Sequence, residues 1–247
     1  MLNKQLSILL IVPCYNEERR LPLDEYKAFL DNDLYSTIDI LFVNDGSKDD
    51  TLTVLEDLAK AYHNVSVLDL ESNQGKAEAI RKGMLSKAES TYDYLGFFDA
   101  DLATPLEEVH SLIHAINTNK KPYLVMGARV KLLGSTDIKR KLMRHYIGRV
   151  FATIVSNMLK LSVYDTQCGA KLIKRGIVPS IFQNEFSSKW LFDVEILFRL
   201  KNEFPDFKER IIEVPIKKWE DKDGSKINLS YYFRAPFDLL KIYFKYV

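Results

Sequence analysis

Short, unbroken apolar runs recur through the first half of the chain, at 7–12, 38–44, 65–70, 94–99 and 124–128. A strand with helices on both faces reads as such a run, whereas a strand with one wet face alternates. Between the runs, stretches near 24–32, 50–62, 75–89 and 105–117 carry apolar residues at helical spacing. Strand and helix in alternation predict a doubly wound α/β fold around a mostly parallel sheet. In such a fold the ligand crevice lies beyond the carboxyl ends of the strands.

Polar residues stand at those ends. Pro13-Cys14-Tyr15-Asn16-Glu17-Glu18 follows the first strand, and the second runs into Asn44-Asp45-Gly46-Ser47-Lys48-Asp49-Asp50-Thr51. Asn73-Gln74-Gly75-Lys76 follows the third, Asp99-Ala100-Asp101 ends the fourth, and Gly127-Ala128-Arg129 the fifth. Any one of these is explained as a turn and a cap: Asp49 or Asp50 caps a helix at Thr51, and Gly46 serves the turn. Five along one sheet edge point to a binding crevice. Residues i and i+2 of a strand share a side, so Asp99 and Asp101 face one ligand if the strand is only just ending. Two carboxylates held that close repel, and a divalent cation offsets the repulsion. Asp45 is placed to accept hydrogen bonds from a base or ribose, and Lys76 and Arg129 to neutralise phosphate. For Lys76 a solvated helix end is an equal alternative. Neither a Gly-x-Gly-x-x-Gly nor a Gly-x4-Gly-Lys-Ser/Thr motif is present, which excludes the dinucleotide fingerprint and the P-loop.

The second half differs in charge. Residues 129–149 hold seven cations against the one anion Asp137. From Leu142 an apolar stripe runs through Met143, Ile147, Val150, Ile154 and Met158. It fits an amphipathic helix on the sheet, and equally a helix at a membrane surface beside anionic headgroups. Further on, Trp190-Leu191-Phe192-Asp193-Val194-Glu195 sets two acids among apolar residues, as a helix cap or as a desolvated acid. A strand at 211–215 leads to a polar loop, 219–226, with Gly224 as a hinge for closure or as an ordinary surface turn. The tail from Tyr231 to Val247 mixes aromatics and cations, which suits a bilayer interface or a helix docked on the core.

With 247 residues, 47% of them apolar and 28% charged, the chain suits one large domain or two small ones. Its net charge of +1, and a basic patch without stacking aromatics, exclude a nucleic-acid partner. Cys14 and Cys168 stand far apart, without the spacing of a disulfide framework or a zinc site, and fit a reducing cytoplasm. The apolar run that stops at Pro13 is too short for a membrane span, and no run of 18 apolar residues occurs.

The strand-end motifs Pro13-Cys14-Tyr15-Asn16-Glu17, Asn44-Asp45-Gly46-Ser47 with Asp50-Thr51, Asn73-Gln74-Gly75-Lys76 and Asp99-Ala100-Asp101 resemble the inverting glycosyltransferases of family 2, with a GT-A fold. Asp165-Thr166-Gln167-Cys168-Gly169-x-Lys171, Trp190-x-Phe192-Asp193-Val194-Glu195 and Trp219-Glu220 with Gly224-Ser225-Lys226 resemble the dolichyl-phosphate β-glucosyltransferases within it. The polyprenyl-phosphate mannose synthases are similar. The resemblance implies one GT-A domain over 1–247, with a Rossmann-like nucleotide-sugar half at 1–128 and an acceptor half at 129–247. It implies that Pro13, Tyr15, Glu17 and Asp45 line the nucleotide pocket. Asp99 and Asp101 hold Mg²⁺ or Mn²⁺ at the donor diphosphate, and Ser225 and Lys226 close over it. Arg129 and cations of the 139–144 cluster, Arg140 and Arg144 among them, meet the acceptor phosphate. Gln167 and Asp193 lie at the transferred sugar, and with Asp101 form the catalytic set.

The implied reaction moves a hexose, glucose from UDP-glucose, onto a dolichyl- or undecaprenyl-type phosphate at a membrane surface. Extension of a polysaccharide or glycan, and GDP-mannose as donor, are the alternatives. Ala103 stands where mannose-transferring relatives carry a metal-contacting Gln, and acidic residues with Lys222 stand where they carry an Arg; both favour the glucosyl branch. The N-terminal anchor of eukaryotic relatives is missing from this sequence. That implies a peripheral protein at the inner face of the cytoplasmic membrane, with a second copy or a membrane-anchoring partner left open.

Overall fold

The structure is a computed structural model that describes residues 6–119, 121–139, 142–222 and 229–247, with the backbone alone for 142–145 and 229–233. The first half alternates as its pattern predicts: β1 (Ile8–Cys14), α1 (Leu23–Leu30), β2 (Ile38–Asp45), α2 (Thr51–Ala61), β3 (Val65–Leu70), α3 (Lys76–Ser86), β4 (Tyr94–Phe97), α4 (Val109–Thr118) and β5 (Leu124–Ala128). There follow β6 (Asp137–Lys139), α5 (Leu142–Leu159), β7 (Lys171–Lys174), α6 (Val178–Phe182), α7 (Phe192–Glu203), β8 (Ile211–Pro215), β9 (Lys218–Glu220) and α8 (Leu229–Tyr246).

Seven strands form one sheet in the order β3-β2-β1-β4-β7-β5-β8, and β6 pairs with β9 apart from it. The pairs β2–β3, β1–β2, β1–β4 and β5–β8 are parallel, and β7 lies antiparallel between β4 and β5. Strands from both halves of the chain therefore share one sheet. The apolar runs are continuous because both faces are covered. Leu9, Ile11, Leu41 and Val43 meet a layer drawn from α3, α5, α6, α7 and α8. Ile8, Leu10, Val12, Ile40 and Phe42 meet Tyr26 and Phe29 of α1, Leu55 of α2 and Leu112 of α4. Each such side chain contributes about 1.5–3 kcal/mol on burial.

One strand was hidden, and three readings need correction. The fourth strand ends at Phe97, two residues early, so the side-sharing of a strand does not place Asp99 and Asp101. They sit instead in a turn where Leu102 has a positive φ of 49° and the Ala103 N–H donates to Oδ1 of Asp101 at 3.0 Å. The short β7 was hidden in the sequence: four residues flanked by polar motifs give no pattern long enough to read. Trp219 and Glu220 belong to a strand rather than a loop; Trp219 is buried, and the Glu220 N–H donates to the Ala103 carbonyl at 3.0 Å. The stripe on α5 does not pack on the sheet: the helix lies against α7, Ala152, Val155 and Leu159 are its buried residues, and Ile147, Val150 and Ile154 are 44–63% exposed. On α8 Leu239 and Ile242 are buried, as in a helix docked on the core, while Phe237 and Phe244 are exposed. Gly224 lies outside the described residues.

The end of α8 is tied to α7 by Glu195, which is fully buried. Its Oε1 accepts from the Tyr246 hydroxyl at 2.7 Å, from Arg199 Nη2 at 3.0 Å and from Lys245 Nζ at 3.2 Å. Its Oε2 accepts from the Ser187 N–H at 2.7 Å.

Candidate active site

A cavity of about 1120 Å³ opens at the carboxyl ends of β1, β2 and β4 and runs on between α5 and α8. Strand ends deliver its polar part, because each chain leaving the sheet must turn there and presents side chains over the edge. Pro13, Tyr15 and Glu17 line it from β1 and the turn beyond, Asp45 from the end of β2, and Lys76 from the first turn of α3. Asp99 and Asp101 follow β4, Arg129 follows β5, Gln167 precedes β7, and Asp193 stands in the first turn of α7. These ten sequence-predicted residues meet in one cavity. Arg140, Ser225 and Lys226 lie outside the described residues, and so does the side chain of Arg144.

Asp45 is engaged by the chain itself. It accepts from Asn73 Nδ2 at 3.1 Å and from the N–H groups of Gln74 and Gly75, both at 2.8 Å. Burial pushes its carboxyl up, against the pull of those two N–H groups. Asp45 thus shapes the loop that carries Lys76. The turn beside it needs Gly46, with φ +61°, since a Cβ there would lie 2.5 Å from the Ser72 backbone. Asp49 is a capping residue: its Oδ1 accepts from the Thr51 N–H at 3.2 Å and from the Thr51 hydroxyl at 2.5 Å.

Three carboxylates and three cations make the centre. Lys76 forms an ion pair with Asp99. Burial raises the Asp99 carboxyl, but the Lys76 ammonium and the charges of Lys171 and Arg129 together outweigh it and hold the group below the usual carboxylate range. Asp101 goes the other way, raised by burial and then by the charge of Asp99. Two hard oxygen donors of this kind, one destabilised by the other, suit Mg²⁺ or Mn²⁺. Among the described residues no three His, Cys, Asp or Glu side chains converge, so the pair alone does not make a closed metal site. Asp193 is raised by burial, opposed by Lys171 and Lys76. Arg129 is forked onto Asp165, and its guanidinium lies 5.2 Å from the Trp219 ring centroid.

Sequence reasoning assigned no role to Lys171, Lys189, Arg20 or Gly169. Arg20, Lys189 and Gly169 line the cavity. Lys189 lies against Gly75, and a Cβ on Gly169 would strike the Asp99 carboxylate. Gly169 and Lys171 carried a signal, both standing in the Asp165–Lys171 motif that marks the family resemblance.

The remainder of the cavity is apolar. Ile147, Val150 and Ile154 of α5 face Pro236 and Leu240 of α8 across it.

A doubly wound sheet with carboxylates and cations gathered at its strand ends is the architecture of the GT-A glycosyltransferases. The Glycosyl transferase family 2 profile matches residues 9–182, and the chain belongs to that family. It is a glycosyltransferase. It is 32% identical to a dolichyl-phosphate beta-glucosyltransferase of Trichomonas vaginalis over 96% of this chain and 73% of that one. It is 33% identical to the human dolichyl-phosphate beta-glucosyltransferase over 91% of this chain and 70% of that one. Among solved structures it resembles glucosyl-3-phosphoglycerate synthase from Mycobacterium tuberculosis in complex with UDP, with a TM-score of 0.68 and 18% identity over 96% of this chain and 80% of that one.

Proposed function

We propose that the protein transfers glucose from UDP-glucose to a polyprenyl phosphate at a membrane surface. The observation that carries this reading is the continuity of the cavity: one space runs from Asp99, Asp101 and Asp193 to the apolar walls of α5 and α8. A donor diphosphate suits the charged end, and an isoprenoid phosphate suits the other. The curated relatives are dolichyl-phosphate beta-glucosyltransferases, and the M. tuberculosis synthase has been crystallised with Mn²⁺ and UDP-glucose.

In this reading Pro13, Tyr15 and Glu17 bind the nucleoside, and Asp45 holds the loop beside it. Asp99 and Asp101 bind Mg²⁺ or Mn²⁺, which when bound acts as a Lewis acid on the leaving diphosphate. Lys76 neutralises phosphate charge at the same end, and Arg129 and the cations of 139–144 receive the acceptor phosphate. The acceptor oxygen forms a bond to the anomeric carbon as the bond to the diphosphate breaks, and the electron pair leaves with UDP. Attack from the opposite face inverts the centre. A phosphate monoester is already ionised near neutral pH, so Asp193 and Gln167 orient the sugar and no base is required.

Among the described residues no helix is long and apolar enough to cross a membrane. The exposed Phe237 and Phe244, with the cations of α8, make the surface contact.

Purified protein incubated with radiolabelled UDP-glucose, Mg²⁺ or Mn²⁺ and a short polyprenyl phosphate tests the reading. Formation of glucosyl phosphoryl polyprenol is expected, with GDP-mannose a poor donor. Transfer to a sugar hydroxyl with none to the lipid phosphate overturns it.

A further inference from the structure

Lys171 opens β7, opposite Phe97 of β4 in antiparallel register. Its side chain has no exposed surface. Nζ donates to the Cys168 carbonyl at 2.6 Å and to Oδ1 of Asp193 at 2.6 Å, and lies 5.3 Å from the Phe97 ring centroid. Stability alone does not account for such a pair. Bringing two charges out of water costs several kcal/mol, and apolar residues of similar volume often serve as well or better. The far end of the pair suggests the reason for keeping it. Asp193 lines the cavity, and no described residue donates a hydrogen bond to its Oδ2.

We propose that Lys171 is a positioning residue: it clamps Oδ1 of Asp193 from inside the protein and so turns Oδ2 toward the hydroxyls of the transferred hexose. The inference rests on the reading of Asp193 at that sugar. Lys171 is well suited to the task because its own site is rigid. The backbone of β7 is held by β4 and β5 on either side, and the ammonium is fixed by a carbonyl as well as the carboxylate and lies over an aromatic ring. In-line displacement depends on the angle at which the anomeric carbon meets the acceptor oxygen, and an error of about 1 Å costs about 100-fold in rate. Donor affinity, by contrast, resides in the nucleotide and diphosphate, which Lys171 does not touch.

The test separates these terms. Lys171→Met is compared with the wild type for folding by circular dichroism, for UDP affinity by calorimetry, and for kcat and KM. The expected result is a folded protein with UDP affinity within about threefold of wild type and kcat lowered about 100-fold. Lys171→Arg, which keeps the charged donor, recovers about tenfold of that loss. In the Asp193→Asn background, Lys171→Met lowers kcat no further than about threefold, because both changes remove one interaction. If Lys171→Met does not fold, Lys171→Gln, which keeps a donor without charge, is read by the same criteria. A wild-type kcat in the neutral variant overturns the inference. So does a parallel loss of kcat and UDP affinity that Arg does not restore, which marks a structural role. A wild-type kcat in Asp193→Asn overturns the reading of Asp193 and the inference with it, whereas an impaired Asp193→Asn beside an unimpaired Lys171→Met overturns the inference alone.

Discussion

Arg129 grips Asp165 with two edges of its guanidinium, Nε to Oδ2 at 2.6 Å and Nη2 to Oδ1 at 2.8 Å. The Arg129 N–H adds a third bond, to Oδ2 at 3.1 Å. Burial lowers the Arg129 pKa, but the Asp165 carboxylate outweighs it and keeps the group charged. The fork also fixes the plane of the guanidinium, which lines the cavity. Arg129→Lys retains the charge and loses the fork. It is expected to raise KM for the lipid phosphate about tenfold while UDP binding is unchanged. Asp165→Asn breaks a buried pair and is expected to cost about 3 kcal/mol of stability in a urea titration.

Chelation of divalent ions is expected to abolish transfer, and added Mg²⁺ or Mn²⁺ to restore it. Electron paramagnetic resonance of free Mn²⁺ reports the site directly. Asp101→Ala is expected to weaken Mn²⁺ binding in the presence of UDP by more than about 100-fold, since even outer-shell partners of a metal are worth about 10–100-fold.

Gly169 has no room for a side chain beside the Asp99 carboxylate. Gly169→Ala is expected to displace that carboxylate and lower kcat/KM about 100-fold. Its position at the cavity wall limits the loss of stability to about 1–3 kcal/mol, measured by thermal melt.

Phe237 and Phe244 stand 74% and 77% exposed on α8 and take no part in lining the cavity. Burying a phenylalanine is worth about 1.5–3 kcal/mol, so Phe237→Ser with Phe244→Ser is expected to weaken binding to anionic vesicles by at least about 100-fold. Cosedimentation measures it, and UDP affinity should not change.

Glu195 supplies a pH dependence of stability. Burial raises its carboxyl, but the hydrogen bonds from Tyr246, the Ser187 N–H and Arg199 outweigh burial, and its pKa in the folded protein lies below the usual glutamate value. The stabilisation is therefore complete above the unfolded pKa, about 4.3, and is lost as pH falls through the lowered folded value. Glu195→Gln is expected to flatten the acid limb of the stability curve. Tyr246→Phe is expected to cost about 1–2 kcal/mol at neutral pH, read by urea titration.

Much of the cavity's polar edge was legible in the sequence. Continuous apolar runs located the five parallel strands, and the residues just past them lined the cavity because a parallel sheet delivers every strand end to one side. Asp99 and Asp101 reached it by a route other than the one expected, through a turn and not the side-sharing of a strand. Lys171 remained without a role because its partner is 22 residues away in the chain and its strand is only four residues long. Lys189 and Gly169 had no role for the same reason: their neighbours, Gly75 and Asp99, are distant in sequence.

The sequence by itself determined what repeats locally: the alternation of elements, the chemistry placed at each strand end, and the motifs that mark the family. Only the tertiary structure decided which groups act on one another. It inserted β7 antiparallel between β4 and β5, set Lys171 beneath Asp193, forked Arg129 onto Asp165, and turned the apolar stripe of α5 toward the cavity instead of the sheet. The physical reason is one of range. Periodicity records which face of an element avoids water, whereas pairing and burial depend on elements far apart in the chain that meet only when it folds.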